Sequence, residues 1–497
     1  MKKNECDSLN RANVMLFGVS VLFILGLFII DKSNIANYIF ALINLAIIYK
    51  FFNNSFRKAF YYITLLFAIM SMTLGVHLKE YIGIDEQINL YYIYLLAYMI
   101  VWFINLVKDF RKNKKIKLDY INILAIIFAV YTFVSFIFAQ DKILAVVELL
   151  YYGVMFSLVI MIVNENKTKL ELKETLRFLG VVSIAVLLMG TFKIITGIQI
   201  EPNSVYLKPG MSMSSMYEPY NRIPTLFFYN PNNFSLVIVI ILVAFSILLV
   251  SNKKYNKCLI GTIIYLSELN IVFSRSRTAW IASGVIFVFL AILLLMKKQW
   301  KKATIILIPL LLFPITFKSA EVIESSKFLY EKLSELDNNI VDEGGQIIEG
   351  TNISIGSNGS INVRATLYID ILQGVFKEKN YLGFGAGNVN EYIKARDNTH
   401  GRYDPHCWWL EILGDFGIIG FVSFTLCYFI IAFRCFIRFL SNKSLQYTSL
   451  LALGLLAATF ILVFSPSSVL RIIPFWIVIA ISIVVSNLIR EDRANGI

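Results

Sequence analysis

Three short segments of this 497-residue chain carry arginine in settings where it could bind an anion. Arg222 precedes an Asn-Pro-Asn turn that includes Asn232, Arg275 and Arg277 lie in a Ser-Arg-Ser-Arg turn, and Arg364 opens a segment with helical spacing. The planar guanidinium group donates two parallel hydrogen bonds to a phosphate, which lysine cannot do. A single arginine of this kind is also typical of an interfacial anchor, so convergence on one face is what favours an anion site.

His406 directly precedes an apolar helix that begins Cys-Trp-Trp-Leu-Glu. An imidazole with an ordinary pKa of about 6.5 is the side chain best suited to accept a proton at neutral pH. We therefore consider His406 a candidate general base, with Gly417 and Gly420 as a glycine pair entering the membrane. The alternative, from physics alone, is an interfacial histidine beside the two tryptophans of an aromatic belt.

Glu268 lies in an apolar segment seven residues before Arg275. If the helix continues that far, the two side chains share a face. Glu268 would then partly neutralise Arg275 and leave Arg277 for a substrate. The sequence contains neither a phosphate-binding loop nor a His-Glu-x-x-His motif, and its five cysteines lack metal-site spacing, so no metal and no cofactor are predicted.

The composition identifies the environment in which these residues act. Hydrophobic residues make up 57% and charged residues 16% of the chain, whereas a soluble protein has about 25% charged residues. Apolar runs long enough to cross a bilayer lie at 14–30, 35–52, 59–78, 88–107, 119–139, 143–163, 176–197, 234–250, 258–274, 278–296, 303–317, 414–437, 445–464 and 468–487. The sequence predicts an all-α, polytopic membrane protein of roughly 12–14 transmembrane helices, with one long extracytoplasmic loop.

The net charge of +13 has a topological explanation. Lysine and arginine concentrate in every second gap between apolar runs, which is the pattern of cytoplasmic retention. This places both termini in the cytoplasm and the protein in the plasma membrane, and it disfavours nucleic-acid binding. The predicted divisions are N-terminal helices at 1–197, central helices at 198–317, the long loop at 318–413 and C-terminal helices at 414–497.

The two longest polar segments, 198–233 and 318–413, fall on the predicted outer face. Long segments of this kind are usually functional. Within the second, residues 320–336 have the spacing of an amphipathic helix, residues 337–360 are typical of an exposed loop or hairpin, and residues 364–376 again show helical spacing. The outer face therefore carries the arginine motifs and the histidine together.

In this arrangement the chain resembles the superfamily of O-antigen ligases and Wzy-type polymerases, which join glycans carried on polyprenyl diphosphate. Four motifs carry the resemblance: His406-Cys407, nine residues, then Gly417-x-x-Gly420; Ser276-Arg277-Thr278; Asn230-Pro231-Asn232; and Arg364 before Leu382-Gly383-Phe384-Gly385. Cys407 departs from the Asn, Ser or Gln usual at its position.

The resemblance implies an inverting, metal-independent membrane glycosyltransferase with a GT-C-like fold. It would transfer an oligosaccharide from undecaprenyl diphosphate to an acceptor glycan and so polymerise a cell-surface polysaccharide such as a capsule or teichuronic acid. His406 would be the general base, and the diphosphate would be bound by Arg222, Arg275, Arg277 and Arg364, with support from Glu268, Asn232, Gly417 and Gly420.

Two other functions remain open from the sequence. A ligase would use the same chemistry but move the glycan to a lipid or cell-wall acceptor. A polysaccharide flippase or transporter would be expected to have internal repeats and ionisable residues at mid-bilayer.

Overall fold

The computed structural model describes residues 46, 49, 55–69, 75–77, 87–111, 120–198, 222–228, 230–251, 256–324, 346–347, 353–466 and 468–488. The predicted span 14–30, most of 35–52 and most of the predicted helix 320–336 lie outside these residues.

Helices dominate the described residues. In chain order they are α1 (Phe56–Ile69), α2 (Leu90–Arg111), α3 (Tyr120–Val134), α4 (Lys142–Glu165), α5 (Lys169–Thr196), α6 (Pro231–Val250), α7 (Lys257–Phe273), α8 (Arg277–Met296), α9 (Trp300–Ile306), α10 (Ile308–Glu324), α11 (Ser360–Leu372), α12 (Val389–Arg396), α13 (Trp408–Ser441), α14 (Gln446–Leu462) and α15 (Ile473–Asn487).

Shorter elements join these helices. Two antiparallel pairs are formed by β1 (Gly75–His77) with β2 (Gln87–Asn89), and by β3 (Gln346–Ile347) with β4 (Ser354–Ile355). The second pair confirms the hairpin interpretation of the segment 337–360. Short 3₁₀ turns lie at Ser135–Phe138 and Leu226–Phe228, and a π-helical turn lies at Gln373–Lys377.

Eight helices within the described residues are long and apolar enough to cross a membrane. Their outer faces carry large apolar side chains, for example Ile143, Leu311 and Leu96, which are 80%, 70% and 63% exposed. Exposure of so much apolar surface is unfavourable in water, whereas it is compatible with contact to lipid. The prediction of an all-α polytopic membrane protein is confirmed.

The long helices alternate in direction, so their termini form two groups. At one end, Lys297 Nζ donates to the carbonyl of Leu440 at 2.9 Å and Lys169 Nζ donates to Ser444 Oγ at 2.6 Å. We call this the basic end; it includes Glu165, Lys169, Val250, Lys257, Met296, Ser441 and Gln446. The opposite termini form the motif end, which includes Thr196, Pro231, Phe273, Arg277, Trp408 and Leu462.

Hydrogen bonds also tie the motif end together. The amide of Trp408 donates to the carbonyl of Val463 at 3.1 Å, which joins the start of α13 to the end of α14. Asn270 Nδ2 donates to Thr191 Oγ1 at 2.9 Å, which joins α7 to α5 near their termini. The predicted arginine turn and the predicted histidine therefore lie at the same end of the bundle.

The segment before α13 is a folded cap and not a bare loop. Helices α11 and α12 bury Val363, Leu367, Ile371 and Ile393 in one cluster that includes Leu413 of α13. The helix spacing predicted for 364–376 is confirmed by α11 and the turn that follows it.

Two predicted boundaries of this segment need correction. Helix α10 continues past residue 317 to Glu324, and α13 begins at Trp408 instead of residue 414. Both helices extend beyond their most apolar stretch, which hydropathy alone does not register. The first residues of the predicted helix 320–336 thus belong to α10.

A glycine breaks α13 near the motif end. Gly417 has φ 58° and ψ −158° inside the helix. Its neighbour Ile418 donates its amide to the carbonyl of Tyr381 at 2.9 Å, and a Cβ at Gly417 would lie 2.1 Å from that carbonyl oxygen. Only glycine allows both this conformation and this approach.

The glycine-rich segment after α11 docks into the break. The amides of Gly387 and Val389 donate to the Asp415 carboxylate, each at 2.9 Å. A Cβ at Gly383 would lie 2.4 Å from the amide nitrogen of Gly417. The Gly-x-Gly-x-Gly pattern thus serves close packing of backbone against backbone, and it fixes α11 relative to α13.

We expect Gly417→Ala to destabilise the protein by about 1–3 kcal/mol from its backbone conformation alone, with a further loss from the clash with Tyr381. Gly284→Ala in α8 is the matched control, because no atom lies within 4 Å of a Cβ there. We expect the control to leave stability unchanged or to raise it by up to about 1 kcal/mol. Thermal unfolding in detergent measures both, and equal midpoints for the two variants would contradict the docking.

Candidate active site at the motif end

The Ser-Arg-Ser-Arg turn reverses the chain between α7 and α8. Ser274 caps α7 through its amide, which donates to the carbonyl of Asn270 at 3.0 Å. Arg275 then adopts φ 55°, in the left-handed region, and α8 begins at Arg277. A non-glycine residue held in this conformation costs about 1–3 kcal/mol, and such residues cluster at functional sites.

The predicted pairing of Glu268 with Arg275 is absent from the structure. Both carboxylate oxygens of Glu268 are buried, and neither accepts a hydrogen bond within the described residues. The prediction required a helix that continues to Arg275, but α7 ends at Phe273 and the backbone turns left-handed two residues later. Glu268 therefore lies inside the bundle, away from the turn.

His406 lies at the entrance to α13, also in the left-handed region with φ 51°. Its carbonyl accepts a hydrogen bond from Tyr368 of α11 at 3.4 Å. The backbone of Ser465, in the connection after α14, lies near the imidazole and acts to raise its pKa. The ring nitrogen Nδ1 is buried and has no hydrogen-bond partner within the described residues. A buried, unpaired imidazole nitrogen is costly unless a bound molecule satisfies it.

The surroundings of His406 favour its neutral form. Burial lowers the pKa of the imidazole, and the positive charge of Arg364 lowers it further, while Asp404 acts in the opposite direction. The imidazole therefore stays neutral at pH 7, which is the state that can accept a proton.

Two guanidinium groups, those of Arg364 and Arg402, lie near this imidazole, and that of Arg277 lies near Arg364. Burial lowers the pKa of Arg364, and the charges of Arg277 and Arg402 lower it further. Arg402 also lowers the pKa of His406. These four side chains are thus electrostatic neighbours, although they come from α8, α11 and the connection before α13. Arg277 Nη1 is buried and lacks a hydrogen-bond partner within the described residues.

Arg402 was not predicted from the sequence. It lies four residues before His406 in the same irregular connection and has no helical spacing that would assign it a face. Its proximity in sequence to the predicted base is the one signal that could have identified it.

Arg222 has a structural partner at the motif end. Its Nη1 donates to the carbonyls of Ile194 and Ile195, at 2.6 and 2.7 Å. These carbonyls belong to the last turn of α5, so Arg222 caps that helix. The structure gives Arg222 this capping role, and its predicted contact with a diphosphate stays a prediction.

The Asn-Pro-Asn motif opens α6. Asn230 is the N-cap, and its side chain accepts a hydrogen bond from the amide of Asn232 at 2.8 Å. The next residue, Asn233, was not among the predicted site residues. Its Oδ1 is buried without a hydrogen-bond partner within the described residues, although its Nδ2 donates to the carbonyl of Phe228.

The remaining predicted residues shape the backbone around His406. Gly417 allows the break in α13, and a Cβ at Gly420 would lie 2.2 Å from the Cβ of Phe416. Cys407 is the buried N-cap of α13, and burial raises the pKa of its thiol to about 11. The thiol is therefore neutral at pH 7 and is not set up as a nucleophile.

Helix termini of both directions meet at the motif end. Helices α6, α8 and α13 begin there, whereas α5, α7 and α14 end there, so the partial charges of their termini oppose one another. Among the described residues, there is no group of three His, Cys, Asp or Glu side chains that could hold a metal ion. The positive potential of the site therefore comes from its guanidinium groups, which lie beside a neutral imidazole.

Two comparisons with known proteins bear on the family resemblance. Residues 260–425 match the family model described as O-Antigen ligase, a range that contains Arg277, Arg364 and His406. The chain is also 25% identical over 382 residues to the teichuronic acid biosynthesis protein TuaE of Bacillus subtilis (strain 168), which covers 73% of this chain and 71% of that protein. The family resemblance inferred from the four motifs is confirmed.

We expect Arg364→Gln to raise the pKa of His406, because the variant removes a positive charge that disfavours the imidazolium. The measurement is the pH dependence of imidazole acylation in a His77→Gln, His400→Gln background, so that only His406 reacts. Arg438→Gln, at the basic end, is the control and should leave the titration unchanged. An unshifted titration in the Arg364 variant would show that the two side chains are not neighbours.

Proposed function

We propose that this membrane protein of the O-antigen ligase type transfers an oligosaccharide from undecaprenyl diphosphate to an acceptor glycan. The observation that carries the proposal is the electrostatic grouping of Arg277, Arg364 and Arg402 with a neutral His406, whose Nδ1 has no hydrogen-bond partner within the described residues. Such a group of side chains can bind an anion through its guanidinium groups and accept a proton at its neutral imidazole.

The arginines have the properties needed to bind the diphosphate. Arg277 and Arg364 come from two separate helices, so the protein scaffold holds them before the donor arrives. Negative charge grows on the diphosphate as the sugar leaves, and donors already oriented toward it stabilise the transition state. Arg275 shares the turn with Arg277, and we assign it, together with Arg222, to the outer part of the same anion site.

His406 would act on the acceptor. Its Nδ1 takes the proton of the acceptor hydroxyl while that oxygen forms a bond to the anomeric carbon. The bond between the anomeric carbon and the diphosphate oxygen breaks, and the diphosphate leaves with the electron pair. Attack opposite the leaving group inverts the anomeric configuration. The guanidinium groups supply the positive charge for departure, so we propose that the reaction needs no metal ion.

The two ends of the bundle support a definite orientation. Arg57, Lys169, Lys297 and Lys443 lie at the basic end, where cytoplasmic retention of positive charge predicts them. We therefore propose that the motif end is extracytoplasmic, that both termini are cytoplasmic and that the membrane is the plasma membrane. In the proposed division at 1–197, 198–317, 318–413 and 414–497, the folded part of the third segment would cover the site and bind the acceptor glycan.

Polymerase and ligase differ only in the acceptor. The relative named for teichuronic acid biosynthesis favours a polymer-forming role, whereas the family description names a ligase. We propose the polymerase as the first assignment. Incubation of the purified protein with the lipid-linked repeat unit alone separates the two, because a polymerase lengthens this substrate without any second acceptor.

We expect His406→Ala to lower the rate of transfer by about 10²–10⁴-fold, the usual contribution of a general base, while the protein remains folded and inserted. His400→Ala is the matched control, since His400 lies in the same connection and bonds through Nε2 to the carbonyl of Gly356 at 3.0 Å. Transfer is measured as the length of lipid-linked product. The wild-type rate should also persist somewhat below pH 6.5, because the lowered pKa keeps His406 neutral there.

Two results would contradict this role. Near-normal product length in His406→Ala would remove it as the base. Loss of exported repeat units, with chain extension intact on units supplied from outside, would instead support a flippase.

A further inference from the structure

A second binding site is suggested by a cavity that the candidate active site does not use. The cavity has a volume of about 780 Å³ and lies between α5, α6, α7, α14 and α15. None of the candidate active-site residues lines it. Along α5 it extends from Lys169 at the basic end to Val186, a distance of about 25 Å at 1.5 Å per residue. It therefore crosses most of a hydrocarbon core about 30 Å thick.

The walls of the cavity are apolar along most of this length. Leu176, Ile240, Phe245, Ile263 and Ile477 contribute side chains from four helices. The volume lies in the range of about 300–1,000 Å³ typical of pockets that enclose a small molecule. A long, narrow, apolar space of this kind fits a hydrocarbon chain better than a compact polar ligand.

Charged side chains line the cavity only near the basic end. Lys169, Lys173 and Arg177 follow one another at four-residue intervals and so lie on one face of α5. Lys443 reaches the same region from the connection between α13 and α14. Every charged residue among the described lining residues is basic. The part of the cavity near the basic end is thus complementary to an anion, while the rest is complementary to a hydrocarbon chain.

We propose that this cavity binds an anionic phospholipid of the leaflet at the basic end. The phosphate headgroup lies against Lys169, Lys173, Arg177 and Lys443, and one acyl chain runs into the apolar space between α5 and α6. Clusters of basic residues between transmembrane helices recognise lipid headgroups through the same electrostatics. The site is separate from the proposed glycan transfer, because its basic residues lie at the opposite end of the bundle from His406 and none of the candidate active-site residues lines it. The proposal is therefore independent of that reaction.

Gly180 offers a way to fill the cavity without disturbing the bundle. It lines the cavity on α5, and no atom lies within 4 Å of a Cβ built there. Gly180→Phe would therefore place its ring in the space of the acyl chain. Gly284→Phe in α8 is the matched control, since that position also has no atom within 4 Å of a Cβ but does not line the cavity.

The test is native mass spectrometry of the purified full-length protein titrated with dioleoylphosphatidylglycerol or dioleoylphosphatidylcholine. We expect the anionic lipid to bind at least tenfold more tightly to the wild type. The double variant Lys173→Gln, Arg177→Gln should lose this preference and retain the weaker binding. Gly180→Phe should lose the tight binding, and Gly284→Phe should bind like the wild type.

Each other result would overturn the proposal. Equal affinity of the wild type for the two lipids would remove the role of the basic residues. Tight phosphatidylglycerol binding in Gly180→Phe would place the lipid outside the cavity. Displacement of the lipid by inorganic phosphate at equal concentration would indicate a site for free anions. If Gly180→Phe fails to fold, the double glutamine variant decides the matter, because it leaves the apolar walls intact.

Discussion

Repulsion among like charges is the interaction on which the motif end depends. Arg364 is partly buried beside Arg277 and Arg402, and this environment works against its own charge. The packing of α11 on α13 holds Arg364 in this position. A bound anion would relieve this repulsion. In a protein that binds no anion, the same arrangement of charges would only be destabilising. Burial lowers the pKa of His406, and the same positive charge lowers it further, so that the anion site and the base share one arrangement.

The break in α13 makes this arrangement possible. A straight helix could not accept the backbone of the glycine-rich segment, because the carbonyl of Tyr381 occupies the place of a Cβ at Gly417. The docked segment leads back to α11, which carries Arg364, and α13 is preceded directly by His406. One unusual backbone conformation thus links the arginine of the cap to the histidine of the bundle. Left-handed conformations at Arg275 and His406 add local strain at the same end of the molecule.

Periodicity and charge predicted the parts of the structure that depend on the bilayer. The alternation of basic gaps placed Arg277 and His406 at one end, because lipid forces every span to cross completely. Contacts between side chains that depend on irregular backbone could not be predicted from periodicity and charge. The pairing of Glu268 with Arg275 was wrong because α7 ends before Arg275, and the contribution of Arg402 depends on a connection without periodicity.

The most direct measurement of the central claim is the affinity of the purified protein for undecaprenyl diphosphate compared with undecaprenyl monophosphate. The account predicts tighter binding of the diphosphate, and a loss of this preference in Arg277→Lys and Arg364→Lys, because lysine keeps the charge but not the paired hydrogen bonds. Arg438→Lys at the basic end should behave like the wild type. Equal affinity for the two lipids, or a preference that survives both arginine substitutions, would contradict the account.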